Sequence, residues 1–499
     1  MIRKLPETQA RRHRAIVLDE INHSYLVGMV DPSDILALDD ISKILKKPIR
    51  QAIVKENDVL RVFDQVYRHT DEISSRASEL HDDLLGVDDR LSNDDDDDDD
   101  EAAAANEAPV VRLLESIFKD AIQVRASDIH IEPDEEVLRI RQRVDGVLNE
   151  YVMKEKRIVG ALVLRLKLMA KLNISEKRLP QDGRFQLNIV GKKIDVRLST
   201  MPIQYGESVV MRLLERNDQL LKLDELGFPE KILKRLKYYM ARPHGMILVT
   251  GPTGSGKSTT LYACLSELNK AENKIITVED PVEYSLPRIN QVQVNPKINL
   301  TFATVLRSAL RQDPHIVMIG EMRDQETAEI GLRAAMTGHL VFSTLHTNDA
   351  ISSAVRLIDM GTESYLAAAA LRVVIAQRLV RKLCPDCSIG YDPTEQERSW
   401  LLSIADESIF KSEFKTSRGC QRCNNSGYHG RMGVYEFLEL EGEMLDALRD
   451  NQPTRFSQLA KISSGYIPLI KSALDQAIAG KTSLEEVFRV AGDLEESAN

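Results

Sequence analysis

An apolar run, Gly245-Met-Ile-Leu-Val-Thr250, leads directly into Gly251-Pro-Thr-Gly-Ser-Gly-Lys-Ser258, and this junction restricts the chain to a narrow set of folds. A loop with the spacing Gly-x4-Gly-Lys-Ser turns its backbone amides toward a phosphate chain without Cβ clashes. The same spacing carries Lys257 to the β- and γ-phosphate oxygens and offers the Ser258 hydroxyl to Mg2+. Ser258 to Leu268 reads as a helix, so strand, loop and helix stand in the order that a nucleotide-binding α/β sheet requires. Gly251, Pro252, Thr253, Gly254, Ser255, Gly256, Lys257, Ser258 and Thr259 are the candidate cradle for ATP. A plain Gly/Pro surface turn would not need these flanks.

Two later strands end in acids. They are Lys274-Ile-Ile-Thr-Val-Glu279-Asp-Pro-Val-Glu283-Tyr and His315-Ile-Val-Met-Ile-Gly320-Glu321-Met-Arg-Asp324. Buried parallel strands read as unbroken apolar runs, and ligands of α/β sheets lie beyond the strands' carboxyl ends. Glu279 is the candidate to orient the attacking water and Glu283 the alternative, because sequence does not say which faces the γ-phosphate. Glu321 supports the metal or its water. Many P-loop enzymes carry a metal-binding aspartate where this chain has Gly320.

Together these segments resemble the secretion and pilus-assembly ATPases, the motors of type II secretion and type IV pilus systems. The resemblance rests on four ordered motifs: the loop at Gly251, the acidic box Ile276 to Tyr284, the Gly320-Glu321 variant, and the histidine box Thr337 to Asn348. It extends upstream through Ala126 to Glu132, Arg143 to Gly146 and Glu176 to Arg184, and so covers roughly residues 108–499. It implies an α/β fold with a RecA-like ATPase domain over 216–499, a PAS-like domain over 108–215 and a small N-terminal α/β docking domain over 1–68.

The likeness is greatest to the mannose-sensitive haemagglutinin (MSHA) pilus ATPases. Some of these carry a cyclic-di-GMP module ahead of the docking segment. Its paired leucine and glycine motifs are absent here, where the chain begins directly at Leu5-Pro6, so cyclic-di-GMP binding is not expected. The resemblance further implies a homo-hexamer that docks on cytoplasmic proteins and an inner-membrane platform. Arg197 and Arg212 match family positions that reach the γ-phosphate, where a guanidinium stabilises transferring charge. Arg307 and Arg311, four apart, would share a helix face toward a neighbouring subunit. His339 and His346 flank the apolar strand Leu340 to Leu345, as phosphate contacts or as structural histidines.

Four of the five cysteines form two knuckles, Cys384-Pro-Asp-Cys387 and Cys420-Gln-Arg-Cys423. Paired C-x2-C knuckles fold four thiolates toward one point, which suits a closed, structural Zn2+ site within a subdomain at 380–432; a redox role would need only one pair. Cys264 reads as core.

The formal net charge of −11 is a local property: residues 79–107 hold 14 acids against one arginine, leaving the rest of the chain at +2. Seven consecutive aspartates at 94–100 repel one another and bury nothing, so 69–107 is expected to be an acidic, disordered linker. The N-terminus Met1 to Arg14 is polar and basic, and the longest apolar segment, Tyr365 to Ala376, is short and charged, so neither signal peptide nor membrane span is expected and the chain reads as cytoplasmic. A nucleic-acid motor is the alternative from another class. Aromatic content of 5% and the absence of a basic stripe interleaved with aromatics argue against it. A non-hydrolysing scaffold is disfavoured by the intact Lys257, Ser258, Glu279 and Glu321.

Overall fold

In the seven-stranded sheet at the centre of the larger unit, every residue of the strand before the glycine loop is buried, as an unbroken apolar run demands. The computed structural model describes residues 107–495 apart from 190, 216–220 and 424–425, together with 4–5, 9–10, 13–21, 24–55, 58–59, 62, 73 and 75–80. It divides into two compact units, Met1–Arg216 with Cys420–Asn425, and Asn217–Gly419 with Ser426–Asn499.

The first module is a three-stranded sheet of β1 (Ala15–Ile21), β2 (Ser24–Met29) and β3 (Ile49–Ile53) in that order. The helix Ile35–Leu45 links the parallel pair β2 and β3, and Asp34 caps it by accepting the Ala37 N–H at 3.0 Å. Asp31-Pro-Ser-Asp34 thus supplies the turn out of β2 and the start of this helix. Val17, Val27, Met29 and Ile41 form the core.

The second module is a six-stranded antiparallel sheet. Its strands are β4 (Ala126–Pro133), β5 (Leu138–Val144), β6 (Val147–Met153), β7 (Gln181–Ile189), β8 (Lys192–Ile203) and β9 (Gly206–Glu215), in the order β6-β5-β4-β9-β8-β7. Leu138 and Ile140 point into the core while Arg139 and Arg141 alternate outward, the period of two read from the sequence. The helices Glu107–Gln123 and Ile158–Met169 share this core, with Ile158, Leu162 and Leu166 spaced at one and two turns.

The linker expected over 69–107 is corrected at its start. Residues 75–80 are helical, and Ile73, Ala77 and Leu80, at helical spacing, are buried in the second module's core. The aspartate run at 94–100 lies outside the described residues.

The large sheet of the second unit is built from β10 (Gly245–Thr250), β11 (Ile275–Glu279), β12 (Asn290–Gln293), β13 (Ile316–Ile319), β14 (Leu340–Leu345), β15 (Leu371–Leu383) and β18 (Tyr428–Glu439). The order is β12-β11-β13-β14-β10-β15-β18, and only β18 runs antiparallel to its neighbour. Both faces are covered. Met246 and Leu248 enter one core while Ile247 and Val249 enter the other, each fully buried aliphatic side chain contributing about 2 kcal/mol. The mixed α/β architecture is the one expected from the strand–loop–helix order.

Between the cysteine knuckles run β16 (Ser388–Tyr391), β17 (Phe414–Ser417) and the helix Glu395–Ile404. Leu401, Ile409 and Phe414 join Val380, Val434, Leu474 and Val487 in one core, so the insertion leans on the C-terminal helices Leu469–Ile478 and Leu484–Glu495 as well as on its own knuckles.

Candidate nucleotide-binding site

Strand β10 delivers the glycine loop to the sheet's carboxyl edge, and the helix Lys257–Leu268 begins at its end. Gly251 has φ +144°, and a Cβ there would fall 2.5 Å from the Gln377 carbonyl oxygen and 2.6 Å from Ser255 Oγ. Only glycine fits both the conformation and the space. Pro252, Thr253, Gly254, Ser258 and Thr259 are exposed, so the rim of the cradle is open, while Ser255 is buried and its Oγ makes no hydrogen bond. These features fit a phosphate chain.

Lys257 Nζ donates to the carbonyls of Gly251 at 2.8 Å and Pro252 at 3.1 Å. Burial pushes its ammonium down to about 8; the Glu321 carboxylate opposes this and the Arg378 guanidinium adds to it. An anion at this position relieves a desolvated cation.

Glu321 follows β13 with its side chain only 12% exposed. Arg323 approaches one oxygen at 2.5 Å and His346 Nε2 the other at 3.3 Å. A Cβ at 320 would lie 3.2 Å from the Val278 carbonyl and 3.3 Å from Glu279 Cα, a tight approach to β11 that glycine avoids.

Glu279 is 3% exposed and its carboxylate is fully engaged. It accepts from Tyr262 Oη and Thr277 Oγ1, both in short contacts, and from Gln291 Nε2 at 3.1 Å. Tyr262 Oη also accepts the Glu283 N–H at 3.1 Å. The acidic box is therefore pinned to the helix that starts at Lys257 through one tyrosine. Glu283 is half-buried in the loop beyond.

His346 meets Glu321, whereas His339 Nδ1 pairs with the Ala334 carbonyl at 3.0 Å, a structural contact. Arg307 lies in the helix Phe302–Ala309 and pairs with Glu326. Arg311 falls past that helix's end and folds back onto the Arg307 carbonyl at 2.8 Å, which corrects the expectation of two residues on one regular helix face. Arg197 and Arg212 belong to the other compact unit, opposite one another on β8 and β9, with Arg212 Nε held by Asp128 Oδ1 at 3.0 Å.

Sequence reading missed a second layer around the loop. Thr260 Oγ1 donates to Gln377 Oε1 at 2.7 Å, and Arg378 Nη2 donates to Asn348 Oδ1 at 3.1 Å. Gln377 and Arg378 are 2% and 4% exposed within the apolar strand β15. Two polar residues interrupting such a run were the available signal.

The sulfur atoms of Cys384, Cys387, Cys420 and Cys423 all lie within 4.8 Å of one another, Cys420 and Cys423 at 3.7 Å. Tetrahedral Zn–S bonds of about 2.3 Å place sulfurs roughly 3.8 Å apart, so the cluster is compatible with zinc. The Cys420 N–H donates to Cys423 Sγ at 3.1 Å, the outer contact expected around a thiolate ligand. Cys264 is buried in the core, where burial pushes its thiol up to about 12.

The profile of the family described as Type II/IV secretion system protein matches residues 103–489, and that of the MshEN domain matches residues 1–73. The MshEN match covers the first module and extends to residue 73, beyond the expected boundary at 68. The chain is 43% identical over 497 residues to the type II secretion system protein E of Dickeya dadantii, covering 97% of this chain and 96% of that one. It is 41% identical over 489 residues to the type IV pilus assembly ATPase PilB of Myxococcus xanthus, covering 98% and 86%. Among solved structures, the ADP-bound pilus retraction motor PilT superposes with a TM-score of 0.51 at 28% identity, covering 76% of this chain and 96% of that one. A glycine loop, two acid-ended strands and a histidine box in one sheet, carried by a chain of such kin, make this protein a member of the type II/IV secretion system family and one of its ATPases.

Proposed function

We propose that this chain is a hexameric motor that hydrolyses ATP to drive assembly of a type IV, MSHA-like pilus at an inner-membrane platform. The observation that carries the hydrolytic part is Lys257, desolvated in the glycine loop and within the field of Glu321. Gly251 to Thr259 hold ATP. Ser258 and Glu321, directly or through water, would hold Mg2+, which when bound neutralises charge on the β- and γ-phosphate oxygens. Glu279 acts as a positioning residue: it holds Tyr262, which fixes the loop, and Glu283 orients the attacking water. Arg197 and Arg212 supply positive charge to the transferring phosphoryl group, and Arg307 and Arg311 serve contacts between copies.

The pilus assignment draws on the MshEN match, and the type II secretion reading on identity of 43% to protein E of Dickeya dadantii. Among the described residues no helix is long and apolar enough to cross a membrane, so attachment to the platform runs through docking proteins. Deleting the gene in the source bacterium should remove surface pili and leave type II export intact; lost export with pili retained would transfer the protein to secretion. Mass photometry at rising concentration with a non-hydrolysable ATP analogue should show six-membered rings, and persistent monomers would count against the ring.

We assign the cysteine cluster to one structural Zn2+. A Cys384→Ser, Cys387→Ser double variant should lose stoichiometric zinc and become protease-sensitive between residues 380 and 432, while ATP binding survives, because no thiolate touches the glycine loop. Elemental analysis of reduced, chelator-free protein without zinc would overturn the assignment and restore the redox alternative.

A further inference from the structure

A cavity of about 490 Å3 opens between the helices Ala350–Asp359 and Pro453–Ile462, on the flank of the ATPase unit. This size falls in the range of small-ligand sites. Ile351 and Val355 give it an apolar floor, and Arg356 and Lys461 bring cations from the two helices. Neither cation makes an ion pair or a side-chain hydrogen bond among the described residues. Two acids also line the cavity. Asp349 is committed to capping its helix, accepting the Ser352 N–H at 2.7 Å, while Asp359 lies at that helix's far end, one turn from Arg356. With Asp349 engaged, two cations face one remaining acid, and both cations stand in the last turns of their helices.

The back wall is held in place. Tyr466 donates to Glu436 at 3.2 Å, and the buried Glu436 also accepts the Ala350 N–H at 2.9 Å. Thr347, in the same wall, shares a hydrogen bond of 2.5 Å with Thr250 and a shorter one with Ser353. Ser353 Oγ in turn donates to the Asp349 carbonyl at 2.6 Å. Thr250 is the residue immediately before Gly251. A hydroxyl relay thus joins the cavity wall to the last residue of β10, next to the glycine loop.

We propose that this cavity is a second ligand site, distinct from the nucleotide cradle, that takes an anionic group, a carboxylate or a phosphate, between Arg356 and Lys461 and reports its occupancy to the glycine loop through Thr347 and Thr250. The site itself stands on its own geometry; only its effect on the loop rests on the ATPase reading.

Ser457 lines the cavity and makes no contact the argument uses, so Ser457→Cys provides a thiol at the site. Its rate of reaction with an uncharged thiol reagent is measured with ADP saturating the loop, against unsubstituted protein for background. Inorganic phosphate should slow the reaction if the natural source is a free phosphate, and an acetylated di-glutamate peptide if it is a peptide carboxylate. Either protection should vanish when Arg356→Ala and Lys461→Ala are added. The same protection measured in a Lys257→Ala background separates this site from the nucleotide cradle. Attaching a sulfonatoethyl group to the introduced thiol should change nucleotide affinity by about fivefold or more, while a methyl group leaves it unchanged. No protection by either anion overturns the site, and protection without a change in nucleotide affinity overturns the relay.

Discussion

Lys257→Ala should lower ATP turnover by on the order of a thousandfold, because the loop loses its one fixed counter-charge to the β- and γ-phosphates. The lysine is held by the Gly251 and Pro252 carbonyls and is partly desolvated, which is why its ammonium is depressed to about 8. Phosphate oxygens favour the protonated form. Nucleotide affinity should accordingly be level below pH 8 and fall as pH rises through 8, where the nucleotide-free lysine turns neutral. Steady-state hydrolysis and a fluorescent-nucleotide titration across pH measure both effects in a variant whose melting curve matches wild type. Turnover near wild type in that variant would remove Lys257 from the chemistry.

Glu321→Gln should keep nucleotide binding and slow turnover about a hundredfold, since the amide preserves shape but removes charge next to the metal and its water. The side chain is nearly buried and gripped from both sides, by Arg323 and by His346. The amide leaves the Arg323 guanidinium without its anion in a confined space. A single-turnover measurement separates binding from chemistry. A wild-type rate constant with weakened binding would make Glu321 a binding group only and leave the hydrolytic role to Glu283 alone.

The strand–loop–helix junction at Gly251 was legible before any coordinates because its pattern is local. Nine consecutive residues supply the turn, the amides, the ammonium and the hydroxyl, and a buried strand and a helix flank them as their apolar pattern required. The cysteine knuckles were legible for the same reason, since each C-x2-C pair is a turn that aims two sulfurs together. The start of the linker was misread. Ile73, Ala77 and Leu80 carry a helical stripe that the neighbouring acidic run outweighed when the segment was judged by composition.

The roles of the acids depended on packing. Glu279 and Glu283 are four residues apart and equally placed in sequence, but Glu279 points at Tyr262, Thr277 and Gln291 and has no oxygen to spare. Those partners come from the helix after the loop, from the same strand and from the edge strand β12, and no spacing rule links the three.

By itself the sequence determined the α/β class, the order of strand, glycine loop and helix, and the pairing of thiols within each knuckle, because each depends on neighbours a few positions apart. Tertiary structure alone decided that Gly320 packs closely on β11, that Gln377 braces the helix after the loop from a strand more than a hundred residues away, and that Thr347 ties a flanking cavity to Thr250. Contacts of that kind form only when the sheet brings distant strands into register, and their geometry is a property of the packed core.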